Sequence, residues 1–403
     1  MATTPIWRRP IFILVSCIVM VMISYGTRQS IGLFMRPISL DMNWGREVLS
    51  FAIATQNLLI GAGAAFAGAL ATRFGAAKTI ALGGVLYGTG LLLMAQAETP
   101  EMLFLSAGIL GGLGLSGCGV PLIAGVVGQI APAHLRTTWM GCITAAATGG
   151  QLVILPTAQY LLGAYDWVYS LIILSMGAMM ILPLALGMSG AARDAEKQAL
   201  PSQSIREALS EAGGHRGFLL LTIGFYVCGF QVQFIGSHLP AHIVDAGGSA
   251  EMGATALMLV AFFNMIGSYA CGRIGERYRK KYALSILYTF RSMLILGFVL
   301  LPLSPVTIVI FSAGVGLTWL GTLPLVSGIT VDVFGVRYMA MLFGVVFFSH
   351  QLGAFTGVWI GGYVFDATQS YDAIWFIAIA LGFTTALIHL PIDDKPLARV
   401  PAT

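Results

Sequence analysis

Charged side chains are scarce in this sequence. Asp, Glu, Lys and Arg make up 9% of its 403 residues, against 57% that are hydrophobic. A water-soluble domain carries roughly 25% charged residues. A soluble fold of this length could not hide so much apolar surface, because part of any compact surface faces water. Lipid removes that constraint. The five Cys (Cys17, Cys118, Cys142, Cys228, Cys271) all lie in apolar stretches at no metal-ligand spacing, so they read as small buried hydrophobes and imply neither disulfides nor a metal site. There is no Walker A sequence and no other enzyme motif, which argues against an ATP-driven machine and against catalysis; no cofactor is expected.

Long apolar runs are what the chain does have. A membrane-spanning helix needs about 20 apolar residues. Twelve stretches qualify: 11–35, 48–71, 79–97, 102–130, 138–163, 167–188, 217–240, 253–273, 283–303, 305–329, 338–364 and 371–391. The first follows Arg8-Arg9 as a signal peptide would, but it ends in Tyr25-Gly-Thr-Arg28 instead of a small-residue cleavage site, so it reads as an uncleaved first span. The longest polar loop, 189–216, divides the chain into a six-span bundle (1–188), a linker and a second six-span bundle (217–403). All but four of the 21 Lys and Arg fall in loops on one side. Arg36 and Arg46 lie on the other, and Arg28 and Arg291 lie within spans. This asymmetry places both termini and the linker in the cytoplasm of a cell whose inner membrane holds the protein. The basic cluster from Arg273 to Lys281 reads as a topology determinant touching lipid phosphates, not as a nucleic-acid site.

The two halves echo each other. Ala54-x-x-Asn57 in span 2 matches Ala261-x-x-Asn264 in span 8, 207 residues on. Ser106-Ala-Gly leading to Pro121-Leu in span 4 matches Ser312-Ala-Gly leading to Pro324-Leu in span 10, at 203. Arg136 matches Arg337, at 201, and Gln151-Leu matches Gln351-Leu, at 200. Two similar bundles imply a cavity between them that rocking would expose to each side in turn. The Gly runs in spans 4 and 10 imitate nucleotide loops but lie inside apolar stretches, where they read as close packing.

Gly68-Ala-Leu-Ala-Thr-Arg73-Phe-Gly75-Ala-Ala-Lys78, between spans 2 and 3, and Gly272-Arg273-Ile-Gly275-Glu-Arg277, between spans 8 and 9, are similar to the corresponding loops of the major facilitator superfamily, which the chain resembles over nearly its whole length. These six positions (Gly68, Arg73, Gly75, Gly272, Arg273, Arg277) are the expected gating residues. Thr72 stands where the family usually has an Asp, and the family's span-4 Arg and span-5 Gly-Pro motif are absent, which counts against a drug–proton antiporter. Tyr25-Gly-Thr-Arg28-Gln-Ser-Ile-Gly32-Leu-Phe34, followed by Trp44-Gly-Arg-Glu, is similar to the monocarboxylate and oxalate–formate porter branch. The resemblance implies that Arg28 occupies the place of an anion-binding Lys of span 1. The Asp and Arg that the branch carries in span 8 are replaced by Asn264 and Ser268, so their proton chemistry does not carry over. His350 is the nearest equivalent of the basic residue that the oxalate–formate porters use in span 11.

A charge inside the hydrocarbon costs roughly 2.5–3.5 kcal/mol even on lenient insertion scales and tends to face a cavity. Arg28 lies about 25 Å along span 1 at 1.5 Å per residue, among Tyr25, Thr27, Gln29 and Ser30. A guanidinium offers a carboxylate two parallel hydrogen bonds; the alternative is snorkelling to the headgroups. Arg291, about two turns from the cytoplasmic end of span 9, is expected to snorkel or to serve a structural partner. His350 and Gln351 lie mid-span in span 11, where His350 could bind substrate or carry a proton. Gln56, Asn57, Gln151, Gln159, Gln231, Gln233 and Asn264 could line a pocket or pair between helices. Trp319 could shape a pocket wall or fill space. His238 and His242, around Pro240, are placed at the headgroup interface.

No Asp or Glu sits deep in a span. Asp245 and Glu251 fall in the loop after span 7, Asp366 and Asp372 in the loop after span 11, and Asp332 at the cytoplasmic edge of span 10. That pattern favours uniport, anion exchange or substrate-coupled symport over a carboxylate-driven pump. The expectation is an all-α membrane protein of two pseudo-symmetric bundles that acts as a monomer in lipid. It would carry a small organic anion, a monocarboxylate, on Arg28, Tyr25, Asn57, Gln151, Gln231, Asn264, Trp319, His350 and Gln351. Two alternatives stay open: a carrier of a neutral or cationic solute with Arg28 structural, and a sensor of the same fold that does not transport.

Overall fold

The computed structural model describes residues 10–132, 136–187, 212–334 and 339–395, and among these there is no strand. Twelve helices are long and apolar enough to cross a membrane. The first six are α1 (Pro10–Asp41), α2 (Arg46–Phe74), α3 (Ala76–Met94), α4 (Pro100–Val127), α5 (Arg136–Ala164) and α6 (Trp167–Leu186). The second six are α7 (Arg216–Asp245), α8 (Ala250–Arg277), α9 (Lys280–Leu300), α10 (Pro305–Phe334), α11 (Met339–Thr368) and α12 (Asp372–His389). Helix is the form that lets an apolar run satisfy its backbone without water. Their starts carry polar caps: Thr99, Asp166, Ser249 and Ser304 accept the first free N–H groups of α4, α6, α8 and α10. The α2–α3 turn needs Gly75, whose φ is +94°.

These helices match the twelve expected stretches in number and order, with α1, α7 and α10 longer at their C-terminal ends than the apolar runs alone suggested. Most of the expected linker, residues 188–211, lies outside the described residues, as does Arg337.

Packing repeats between the halves. In the first, α1 lies on α5; in the second, α7 lies on α11. Both crossings are made by glycines. A Cβ on Gly26 would fall 2.5 Å from the Gly150 carbonyl oxygen, and one on Gly229 would fall 1.8 Å from that of His350. Gly353 is equally tight, 1.8 Å from the Tyr226 oxygen. Gly26 and Gly229 are 203 residues apart, as are Gly150 and Gly353, so the crossings are copies of one another.

The halves meet along α2 against α11 and α5 against α8. The α2–α11 seam is tight from Arg46 to Gly61, where a Cβ would lie 2.8 Å from the Gln351 side chain. Farther along, Gly68 on α2 and Gly344 on α11 have no atom within 4 Å of an added Cβ. Among the described residues the closest α2–α11 contacts are thus gathered between the Arg46 end and Gly61.

Two helices are interrupted in corresponding places. α4 has a π-helical stretch at Phe104–Leu110 and breaks at Gly119. α10 breaks between Thr318 and Thr322. Pro121 and Pro324 follow the two breaks.

Candidate substrate site between the halves

Arg28 lies inside the first bundle, against α2. Its guanidinium donates to the Asn57 side-chain oxygen and lies over the Tyr25 ring, 5.9 Å from the centroid. It does not reach for the headgroups. Asn57 is fully buried, and its own Nδ2 has no partner. Its backbone carbonyl accepts from Gln351 Nε2 at 2.9 Å, across the seam. Gln351 Oε1 lies 3.1 Å from His350 Nδ1, and His350 is held between the rings of Phe225 and Phe347. Arg28, Asn57, Gln351 and His350 thus form one hydrogen-bonded line from α1 to α11, across the seam between the halves.

A second connection joins α5 to α8: Asn264 Nδ2 donates to Thr148 Oγ1 at 3.4 Å. Asn264 Oδ1 accepts the Leu320 N–H at 3.0 Å and the Ser268 hydroxyl at 3.0 Å. Gln151, one turn past Thr148, is buried with an unpartnered Nε2. Trp319 is 2% exposed, and its indole N–H is likewise unpartnered. Asn57, Gln151 and Trp319 therefore each hold a free N–H donor in the interior. Such a group costs about 1–3 kcal/mol if it stays unmet. Among the described residues no ion pair includes Arg28 or Arg291. The described interior thus holds these three unused donors and the cation Arg28, which has no acid partner.

Gln231 is not free for a ligand, because its Nε2 donates to the Ala378 carbonyl and its Oε1 accepts from Arg291. Gln56 donates to the Ala107 carbonyl. Gln159 lies away from the seam's centre, in a groove of ≈ 570 Å³ between α5 and α8 that Glu251 also lines. Arg291 takes the structural alternative: it is 0% exposed and enclosed by α7 and α10.

The Arg46 end of the seam is an ionic seal. Arg46 donates to both Asp245 oxygens, at 2.5 and 2.8 Å, and to the Tyr371 hydroxyl at 2.8 Å, with its guanidinium 3.7 Å from the Phe365 ring centroid. Arg36 adds a 3.5 Å contact to Asp245. Burial pushes the Tyr371 phenol above its usual range, so it stays neutral beside the pair. Glu47 accepts from Trp359 Nε1 at 2.9 Å. Asp366 was expected in a loop. It lies in the last turns of α11 and accepts the Arg46 and Glu47 backbone N–H groups, at 2.9 and 2.7 Å, capping α2 across the seam.

His238 also departs from its expected headgroup position, because α7 continues to Asp245 and carries His238 inside. It is fully buried, 2.9 Å from the Val358 carbonyl, 3.1 Å from the Tyr371 hydroxyl and 3.5 Å from Ser50 Oγ. The motif Trp44-Gly-Arg46-Glu47 was the available signal for this seal, and its distant partners were not readable.

At the opposite end the expected gating residues make no ion pair between the halves among the described residues. Arg73 and Arg277 are exposed, and Arg273 pairs with Glu276 on its own helix at 2.7 Å. Gly68, Gly75 and Gly272 have open space where a Cβ would stand.

Comparison with known proteins agrees with this architecture. The family model described as Major Facilitator Superfamily matches residues 17–358. An uncharacterised MFS-type transporter, YcxA of Bacillus subtilis (strain 168), is 27% identical, with 99% of this chain and 98% of that protein covered. Monocarboxylate transporter 13 of Bos taurus is 26% identical over 85% of this chain and 79% of its own. A crystal structure of a D-xylose–proton symporter superposes with a TM-score of 0.76 at 15% identity, covering 96% of this chain and 99% of that one. An inward-facing, occupied structure of a bacterial homologue of the lysosomal transporter Spinster gives 0.74 at 12% identity, covering 97% and 98%. Twelve helices in two matched sets, a seam closed at one end and a family match over most of the length agree: this chain belongs to the major facilitator superfamily and is a membrane transporter, not an enzyme.

Proposed function

We propose that the protein carries a small organic anion, a monocarboxylate, across the inner membrane by alternating access, with Arg28 as the carboxylate anchor. The observation that carries the reading is a partly buried guanidinium between membrane helices, bound to a neutral Asn57 and facing no acid among the described residues. A negatively charged passenger would supply the missing charge, and the free N–H groups of Asn57, Gln151 and Trp319 would supply further hydrogen bonds to it. Relatives described as monocarboxylate transporters support the same substrate class.

The basic-residue asymmetry orients both termini to the cytoplasm and makes the Arg46 seal the outer gate. The conformation is then closed outside and spread inside. The gating glycines Gly68, Gly75 and Gly272, with Arg73, Arg273 and Arg277, would pack together when the inner side closes. His350, linked through Gln351 and Asn57 to Arg28, would be the coupling residue, giving symport without a buried carboxylate.

Uptake of radiolabelled acetate, lactate, pyruvate and benzoate into proteoliposomes tests the reading. Accumulation by the native protein and its abolition in Arg28→Gln are expected. Unchanged carboxylate uptake in Arg28→Gln would refute the anchor, and no flux of any solute would point to a sensor.

A further inference from the structure

The break in α10 strands backbone groups in the middle of a membrane helix. Its first segment, Pro305–Thr318, ends with carbonyls that no following turn can satisfy. Arg291 of α9 meets them. One of its terminal nitrogens donates to the Thr318 carbonyl and to the Trp319 carbonyl, the latter at 3.0 Å. Its Nε donates to Thr318 Oγ1 at 3.2 Å, and the other terminal nitrogen donates to Gln231 Oε1 at 3.4 Å and to Cys228 Sγ at 3.7 Å. On the far side of the break Asn264 Oδ1 takes the Leu320 N–H. The guanidinium is 0% exposed. Its charge is balanced by the negative end of a helix segment and the carbonyl oxygens there, without an acid.

What this clamp holds is Trp319. The indole lies opposite Gly236 of α7, where an added Cβ would come within 3.7 Å of it. Gly236 in turn backs onto Gly32, one turn beyond Arg28 on α1. The indole N–H has no partner, although the ring is almost fully buried. The first half lacks such a clamp: 201 residues before Tyr288 stands Tyr87, and 201 before Arg291 stands Gly90. The matching break in α4 is a single residue, Gly119. The second half thus carries a cation at its break, and Trp319 at that break has a donor to spare.

We infer that Arg291 is a positioning residue. It fixes the α10 break so that the Trp319 indole N–H serves as the second half's hydrogen-bond donor to the anion that Arg28 anchors in the first half. This rests on the anion reading proposed above. Lysine would not replace the arginine, because a single ammonium cannot span two carbonyls, a hydroxyl and an amide in one plane.

The test uses the full-length protein in proteoliposomes with whichever of acetate, lactate, pyruvate or benzoate it takes up. Trp319→Phe should raise KM by about tenfold, the usual loss for a hydrogen bond to a charged group, with Vmax within about twofold of native. Arg291→Lys should do the same, and the double variant should be no worse than either alone within about twofold. Native KM in either single variant, or effects that multiply in the double variant, would overturn the inference.

A second readout needs no substrate. The emission of Trp319, taken as the difference between each protein and its Trp319→Phe partner, should shift to longer wavelength in Arg291→Lys. An unshifted spectrum also overturns the clamp. Should Arg291→Lys fail to fold, Thr318→Val, which removes one acceptor, carries both readouts. If Arg28→Gln leaves uptake unchanged, the anion reading fails, and the emission difference still decides the clamp.

Discussion

Asn57 and Arg28 share one hydrogen bond, and its chemistry is finely set. The amide orients the guanidinium without neutralising it. A carboxylate at the same place would form an ion pair in a low-dielectric interior and occupy the charge that the proposed anionic cargo would need. Asn57→Asp is therefore expected to fold and to lose carboxylate uptake by at least about tenfold. Initial-rate uptake beside a thermal melt measures both, and a variant that transports at the native rate would remove the anchor from Arg28. At this scale the sequence displayed the buried polar residues as a set, since each stands out in an apolar run. It did not display their partners. Gln231 and Gln56 read the same as Gln151 in the sequence, yet two of the three spend their amides on neighbouring carbonyls. His238 was misplaced because Pro240 and the polar residues after it suggested the end of a helix that in fact continues to Asp245. Partner choice depends on which helix faces which, and that comes from tertiary packing.

At the scale of the helix, glycine decides how closely spans approach. The α7–α11 crossing leaves no space for a methyl group at Gly229 or Gly353, where an added Cβ would lie 1.8 Å from a backbone oxygen. A backbone cannot yield as a side chain does, so Gly353→Ala should cost about 1–3 kcal/mol or more and lower the melting temperature. Gly163→Ala, at a position with open space, should be neutral or slightly stabilising, since alanine is the better helix former. Thermal melts of the two variants in detergent give the comparison, and equal melting temperatures would show that the crossing is looser than this. The existence and order of the twelve helices were legible because apolar length alone specifies a span. The interruptions in α4 and α10 were not, because Gly-rich runs suit both close packing and a break. Pro121 and Pro324, in matching places, were the only marks they left.

For the molecule as a whole, the ionic contacts between the halves are concentrated at one end. Every ion pair that joins the halves among the described residues lies at the Arg46 end. The alternating access proposed above would break Arg46 from Asp245, remove the Asp366 cap from α2 and expose Ser50, which is now fully buried beside His238. Removing the charge at Arg46 therefore weakens the state described here and leaves the opposite state nearly untouched. A loss of about 1.5–3 kcal/mol, the range for hydrogen bonds to charged groups, moves a two-state equilibrium by roughly ten- to a hundredfold. In a background with the five native cysteines replaced, Ser50→Cys should resist a membrane-impermeant thiol reagent added outside the cell. Adding Arg46→Gln, or Asp245→Asn, should raise its labelling rate by about tenfold or more. A rate unchanged by both substitutions would mean that the seal does not hold the outer side shut, and that the closed end is maintained by the helix contacts from Ser50 to Gly61 alone.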